Sequence, residues 1–241
     1  MARHSHWHNV QVTKGKADAK RAKTFAKHAK TITTAAKDGG ADPTFNVSLR
    51  VAVDAARAAN MPKDNIDRAI ARGTGEGGEG VAIEEVVYEG FGPGGLAILV
   101  QCLTDNRNRS VSEVRTVMMK NGGTMANAGS VMWMFEKKGV VVVADRSFIS
   151  DRDAFELTVI DAGADDVREV GEALEIITPV TDFKSVYDAV EGFGLKPDAA
   201  TLAYVPKDSV AISETDSDLM QHLIEKLEAL DDVDVVSTNE R

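Results

Sequence analysis

A glycine-rich stretch about a third of the way along the chain separates two parts with different periodicity. It reads "ARGTGEGGEGVAIEE", and few of its residues can pack in a core. Its glycines favour a flexible backbone; they are Gly73, Gly75, Gly77, Gly78 and Gly80. The pattern before the stretch is helical, and after it short β-rich runs alternate with helices. The chain is therefore predicted to form separate domains with a linker at this point.

The part before the linker is predicted to form three helices. The first covers residues 16–37, is rich in Ala and Lys, and stops at two glycines. The second opens with Asp42 as the N-cap and Pro43 at the first helical position, and it runs to about residue 60. The third covers residues 62–73. This part is predicted to be an all-helical domain.

The part after the linker carries hairpin and capping signals. The runs "EEVVYEGF" and "LAILVQCL" are β-rich and are joined by "GPGG", which is a hairpin signal. Ser110 with Glu113 and Ser150 with Asp153 resemble capping boxes that open two helices. "SVMWMFE" and "GVVVVA" are predicted to be two successive strands. The mixture of hairpins and helices predicts an α+β fold.

The order of these elements predicts how the domains are arranged. Residues 139–206 follow the β-α-β-β-α-β order of a ferredoxin-like domain. Residues 82–137 are one helix and one strand short of a similar layout, and the tail supplies a helix over about 216–229 and the strand "VDVVST". We predict an α+β protein with an all-helical N-terminal domain and two α/β sandwich-type (ferredoxin-like) domains, one inserted in the other. The predicted boundaries are 1–75, 76–138 plus 207–241, and 139–206.

The charge is divided unevenly between the two parts. Residues 1–72 contain 14 Lys and Arg against 6 Asp and Glu, a net charge of +8. Residues 73–241 contain 14 against 32, a net charge of −18, so the whole chain carries −10. A basic segment joined to an acidic body is expected when the basic segment binds a polyanion.

The acidic body has its own charge cluster, which predicts either a solvated face or a docking surface for a protein partner. The cluster lacks the spacing of a calcium-binding loop. Its members are Asp165, Asp166, Glu169, Glu172 and Glu175.

The first predicted helix has a lysine face and an apolar face. Lysines spaced by four and three residues fall within about 80° of arc on a helical wheel; they are Lys16, Lys20, Lys23, Lys27 and Lys30. The opposite face carries Ala22, Phe25, Ala29, Ile32 and Ala36. The lysine face is predicted to bind nucleic-acid phosphates, together with the neighbouring Lys14 and Arg21; a solvated face is the alternative. Lysine is a mobile point charge, which favours backbone contact over base recognition.

The N-terminal run "MARHSHWHNV" contains alternating histidines that allow two interpretations. Alternation in an extended chain puts His4, His6 and His8 on one side, as a weak metal site would need. No cysteine or acidic ligand lies nearby, so we predict no metal site. The preferred interpretation is an arm that orders on nucleic acid through His4, Ser5 and Trp7, with the indole stacked on a base; a disordered arm is the alternative.

The run "TDNRNRS" is a second candidate for phosphate contact. Arg107 and Arg109 flank a predicted helix N-terminus, where free N–H groups attract anions. The alternative is structural, with Asp105 pairing with the arginines to shape the loop.

No motif predicts catalysis, a cofactor or a small-molecule substrate. "GFGPGG" lies between strands and lacks the lysine of a phosphate-binding loop, so it is predicted to be a turn. Cys102 is the single cysteine, lies in an apolar strand and is predicted to be core; its isolation suits a reducing cytoplasm. No apolar run approaches the roughly 20 residues of a membrane span, and no signal-peptide core is present.

Several blocks resemble the YebC/PmpR family of probable transcriptional regulators. They are "HSHW", "DAKRAKTFAKHAKTITTAAKDGGADP", "VDAARAANMPKDNIDRAIARGTG", "YEGFGPGG", "LTDNRNRSVSEVR", "GSVMWMFEKKG" and "LAYVPKDSV". The resemblance covers nearly the whole chain and implies three domains, a cytoplasmic location and no catalytic activity. The family pattern His-Ser-Lys-Trp has His6 in place of lysine here, which removes a permanent positive charge.

The resemblance implies two functions, and the residues do not decide between them. Family members are described as DNA-binding regulators of transcription, which predicts phosphate contacts through the basic N-terminal domain. Others, including mitochondrial translational activators, act on the ribosome and relieve stalling at proline runs, which predicts binding to ribosomal RNA. The sequence shows no base-reading element, which favours recognition of RNA shape. We rank the DNA-binding regulator first on the family description.

Overall fold

The structure is a computed structural model that describes residues 18–76 and 82–241, with side chains described from residue 22 onward. Its helices in chain order are α1 (Asp18–Gly39), α2 (Val47–Ala58), α3 (Lys63–Gly73), α4 (Arg107–Lys120), α5 (Arg152–Asp161), α6 (Phe183–Gly192) and α7 (Glu214–Glu228). Its strands are β1 (Glu84–Phe91), β2 (Ala97–Thr104), β3 (Thr124–Met125), β4 (Phe135–Val143), β5 (Asp166–Val170), β6 (Ala173–Pro179), β7 (Ala199–Pro206) and β8 (Val233–Thr238).

Helices α1 to α3 pack around their own apolar core, as the periodicity predicts. Phe25, Ala29, Ile32 and Ala36 of α1 contribute to this core. Ala22 was predicted to lie on the same apolar face, but it is exposed and lies outside the core. The third helix crosses the first closely at Gly73.

Gly73 closes the crossing of α1 and α3. A Cβ added there would lie 2.3 Å from the backbone oxygen of Thr33. The sequence interpretation of Gly73 as the first linker glycine is therefore incomplete, because this glycine ends α3 and allows two backbones to approach.

The second helix begins four residues later than predicted. Asp42 accepts a hydrogen bond from the backbone N–H of Thr44, so Asp42 and Pro43 form a turn. The N-cap is Asn46, whose side-chain oxygen accepts from Leu49 N at 3.0 Å. Its amide also donates to the carbonyl of Ala35 at 2.7 Å, so this cap is held by α1 as well as by α2.

The first sheet has the order β3-β1-β2-β8, with all three pairs antiparallel. Strand β8 comes from the C-terminal tail, so all strands of the second sheet lie between β3 and β8 in the sequence. Helices α4 and α7 pack on the same face of the sheet, against the apolar side chains of β2. Pro93–Gly95 forms the turn between β1 and β2, which confirms the predicted hairpin.

The second sheet has the order β5-β6-β4-β7, again with antiparallel pairs. Together with α5 and α6 this is the β-α-β-β-α-β order and the strand arrangement of a ferredoxin-like unit. The predicted α+β fold class with a ferredoxin-like unit inside the other α+β unit is confirmed.

Three local predictions in this region are wrong. Helix α4 begins at Arg107, because the side chain of Asn106 caps it by accepting from Arg109 N at 3.1 Å. Ser110 lies in the first turn instead, where its hydroxyl bonds that of Tyr88 at 2.7 Å. Helix α5 is capped by Asp151, not by Ser150. The run "SVMWMFE" is mostly a short 3-10 turn, and Phe135 opens one long strand that includes "GVVVV".

The three parts pack against one another through apolar and charged contacts. Val235 of β8 packs against Val140 and Val142 of β4, which joins the two sheets. Val47 of α2 belongs to the core of the second sheet. Arg50 of α2 lies 4.5 Å above the ring of Tyr187, so α2 docks on α6 through a cation–π contact as well.

Candidate nucleic-acid interface

The lysine face of α1 lies opposite acids that surround the connection between α7 and β8. We call this group the acidic turn, and its members are Glu228, Asp231, Asp232 and Asp234. The ammonium of Lys23 lies 2.6 Å from a carboxylate oxygen of Asp231. Lys30 pairs with Asp232 and also donates to the carbonyl of Asp231 at 3.3 Å. The described part of the lysine face is therefore partly an interdomain contact.

Asp232 is the centre of this contact. Its carboxylate accepts from Arg109 at 2.8 Å and from the hydroxyl of Thr104 at 2.9 Å, besides pairing with Lys30. The side chain of Asp232 is 2% exposed and that of Lys30 is 17% exposed. Burial alone would raise the pKa of Asp232, but the hydrogen bonds from Lys30, Arg109 and Thr104 outweigh it and lower the pKa. Asp232 is therefore an ionised group that joins α1, β2 and α4.

Two other carboxyl groups of the acidic turn are shifted in the opposite direction. Burial raises the pKa of Glu228 from 4.5 to about 7, against the nearby positive charge of Lys27. Burial also raises the pKa of Asp234, against Lys27 and a hydrogen bond from Thr31 at 3.2 Å. These acids offset the charge of Lys27 less than two fully ionised carboxylates would.

The raised pKa of Glu228 predicts a pH-dependent stability. A carboxyl that binds its proton more tightly in the folded state destabilises the protein progressively as the pH rises from its unfolded pKa to its folded pKa. Glu228→Gln is expected to raise the free energy of unfolding above that of the wild type, by an amount that grows between about pH 4.5 and 7 and is constant above pH 7. Chemical denaturation of both proteins at several pH values measures this difference. Glu214→Gln, at the exposed start of the same helix, is the control and should give no such gain. A gain that is the same at all pH values would contradict the assignment.

The two arginines of "TDNRNRS" are held in ion pairs. Arg109 pairs with Asp105 at 2.6 Å and with Asp232 at 2.8 Å, and these bonds raise its pKa. Arg107 pairs with Glu84. The structural alternative that the sequence left open, pairing of Asp105 with an arginine, is present at Arg109. Phosphate contact by either arginine stays a prediction.

Most other predicted contact residues fall outside the part that can be described. His4, Ser5, Trp7, Lys14 and Lys16 lie outside the described residues, and so do His6 and His8. Lys20 and Arg21 lie on α1, and their side chains are outside the described part.

The acidic cluster of the second sheet is largely paired with cations. Asp165 contacts Lys138 at 3.1 Å, and Asp166 contacts Arg168 at 2.7 Å. Glu169 contacts both Arg146 and Arg152, and Glu175 is buried. The cluster is therefore a network of ion pairs, and its role in docking a protein partner stays a prediction.

Cys102 is the only cysteine of the chain, and its surroundings determine the reactivity of its thiol. Cys102 is buried in β2, as predicted, and burial raises the pKa of its thiol to about 12. The thiol is therefore protonated at neutral pH and a poor nucleophile. Within residues 18–76 and 82–241, three or more His, Cys, Asp or Glu side chains do not converge as metal ligands would. None of the helices in these ranges combines the length and hydropathy of a membrane span.

Two family models together cover nearly the whole chain. The model described as the TACO1/YebC protein N-terminal domain matches residues 5–76, and the model described as the TACO1/YebC second and third domain matches residues 83–240. The chain belongs to the TACO1/YebC family. The resemblance noted in the sequence is thereby confirmed.

Relatives in this family match along their whole length. A protein of Trichlorobacter lovleyi is 48% identical over 99% of this chain and 95% of its own, and one of Desulfatibacillum aliphaticivorans is 45% identical over 99% and 96%. Both are named "Probable transcriptional regulatory protein". The crystal structure of a conserved hypothetical protein from Aquifex aeolicus matches with a TM-score of 0.83 and 39% identity over 98% of this chain and 97% of that one.

The sequence did not predict that the acidic turn lies opposite the lysine face of α1. The helical wheel of α1 contains no acid that offsets the lysines, so the face looked unpaired. The only local signal is the density of Asp in "LDDVDV" at the start of a strand, where an apolar residue is the usual choice.

Proposed function

We propose that this TACO1/YebC protein is a DNA-binding regulator of transcription that contacts phosphates through its basic N-terminal segment and α1. The names of its relatives support regulation of transcription, and the charge of the N-terminal segment supports DNA as the target. In this proposal the protein acts by binding, in the cytoplasm, without a catalytic step. The protonated thiol of Cys102 is consistent with that.

One observation carries the proposal, namely the excess of positive charge at the start of the chain. Residues 1–30 contain eight Lys and Arg against one acid, Asp18. The acidic turn brings four carboxyl groups to the described part of α1, and burial raises the pKa of two of them. The cations still outnumber the acids, so a net positive potential remains for a polyanion.

The chemistry of the cations indicates how they bind. Seven of the fourteen Lys and Arg residues in 1–72 lie between residues 14 and 30, and six of these seven are lysines. Lysine binds phosphate as a point charge without the planar geometry that reads a guanine edge. Binding is therefore expected to depend strongly on salt and weakly on sequence.

The test is the salt dependence of binding by the full chain. Lys14, Lys16 and Lys20 are changed together to Gln, and fluorescence anisotropy is measured with a labelled 20-base-pair duplex. The slope of log K against log salt should fall in magnitude by about 2.7 if all three meet phosphates, because each contact contributes about 0.9 on duplex DNA.

The matched control changes three exposed lysines elsewhere, Lys120, Lys196 and Lys226, to Gln. It alters the net charge equally and should leave the slope unchanged. Equal slopes for all three proteins would mean that the N-terminal lysines do not contact DNA. Tighter binding to ribosomal RNA than to the duplex, with co-sedimentation on ribosomes after DNase treatment, would favour the ribosome-associated alternative.

A further inference from the structure

The acidic turn holds the lysine face with two contacts of different strength. Lys30 and Asp232 are almost closed off from water, and Arg109 and Thr104 complete the bonds of the carboxylate. This contact is structural. The Lys23–Asp231 pair is open, with side chains 49% and 62% exposed. An exposed pair contributes only about 0 to 1 kcal/mol, so its partners exchange readily.

The position of Asp231 is fixed although its side chain is exposed. The backbone carbonyl of the next residue, Asp232, accepts a hydrogen bond from Leu103 N at 2.8 Å. The carboxylate of Asp232 is itself held by three other elements. A carboxylate on such a fixed backbone stays next to Lys23 even when the ion pair between them opens.

We propose that Asp231 is an intramolecular competitor of phosphate for Lys23, so that the acidic turn limits the affinity of α1 for nucleic acid. Carboxylate and phosphate oxygens bind an ammonium in the same way, so the Asp231 carboxylate occupies the Lys23 ammonium that a phosphate would bind. A nucleic acid displaces Asp231 from Lys23 and leaves the Lys30–Asp232–Arg109 contact in place. Asp231 thereby weakens binding to any polyanion. This inference rests on the proposed function.

The geometry distinguishes Asp231 from the other acids of the turn. Loss of Asp232 would leave Lys30 and Arg109 without their shared partner and disturb the fold. Loss of Asp231 removes one exposed pair only. Asp231→Asn therefore tests competition without a change in structure.

The experiment compares the full-length wild type with Asp231→Asn on the same labelled duplex. Asp231→Asn is expected to bind about two- to fivefold more tightly at low salt, which is the factor that an exposed ion pair allows. The control is Asp208→Asn, which makes the same charge change at another exposed position. Asp208 lies near Val210, which pairs with Glu240 past the C-terminal end of β8, whereas Asp231 precedes the N-terminal end of β8. Asp208→Asn should bind as the wild type does. Unchanged thermal unfolding of both variants establishes that the fold is intact.

A double-mutant cycle with Lys23→Gln shows whether the effect passes through Lys23. Competition predicts that Lys23→Gln costs more affinity in the Asp231→Asn background than in the wild type. If Asp231→Asn and Asp208→Asn bind equally well, or if the two changes at positions 23 and 231 are additive, the competitor assignment is wrong while DNA binding stands. If no variant binds the duplex, the proposed function itself is wrong.

Discussion

Asp232→Ala is expected to lower the free energy of unfolding by about 3 kcal/mol. Removing one partner of a buried ion pair costs about 3 to 5 kcal/mol because the remaining charge stays buried without compensation. The lower end applies here, since the Arg109 side chain is 43% exposed and recovers some hydration. Urea denaturation at pH 7, followed by circular dichroism, measures the loss.

Asp231→Asn is the matched control for Asp232→Ala, because the two acids are neighbours in sequence and differ in burial. It should change the free energy of unfolding by less than about 1 kcal/mol, as expected for an exposed pair. The cost of Asp232→Ala should shrink as the pH falls toward the acid range. The pKa of Asp232 is lowered in the fold, so its contribution is present above the unfolded pKa and is lost as the carboxylate protonates. Equal effects of the two variants would show that Asp232 is not a central contact.

Glu89→Ala is expected to cost about 3 kcal/mol, because it removes a buried carboxylate that accepts three backbone hydrogen bonds at once. The carboxylate of Glu89 accepts from the backbone N–H of Gly129 at 2.6 Å, Val131 at 2.7 Å and Met132 at 2.9 Å. Burial would raise the pKa of Glu89, but these backbone bonds lower it, so the group is ionised and holds the segment before β4. The buried N–H of Val131 costs about 1 to 3 kcal/mol when it loses its acceptor, whereas the N–H groups of Gly129 and Met132 are less buried and recover some hydration.

The readouts for Glu89→Ala are urea denaturation and the fluorescence of Trp133. This indole is 63% exposed and donates to the carbonyl of Ser130 in the same segment. In a Trp7→Phe background, Trp133 is the only indole left, so a shift in its emission reports on the segment directly. Glu85→Ala, on the same strand, loses one exposed pair with Lys137 and should cost less than about 1 kcal/mol. A loss as small for Glu89→Ala would contradict the role assigned to it.

Structural features that depend on residues close to one another in the sequence were predictable from the sequence. The period of the apolar residues in α1, the hairpin at Pro93–Gly95 and the β-α-β-β-α-β order of the second sheet all follow from patterns a few residues long. The division of charge was equally visible. These features suffice for the α+β class, because the pattern of elements restricts the ways in which layers can pack.

Helix starts were less predictable, because tertiary contacts choose among several capping residues. Asn46 is preferred to Asp42 since it also bonds a carbonyl of α1. Ser110 was predicted to be a cap and instead meets Tyr88 of β1. A capping pattern shows which residues can cap, and the packing of other elements decides which one does.

The sequence by itself determined the helical N-terminal part, the two sheets and the lysine face of α1. Only the tertiary structure decided what that face meets. Lys30 and Asp232 are separated by 202 positions, and no periodicity within a helix can indicate a partner so distant. Periodicity reflects contacts within a turn or a strand pair, whereas this ion pair exists because β8 returns to the first sheet and carries its acids to α1.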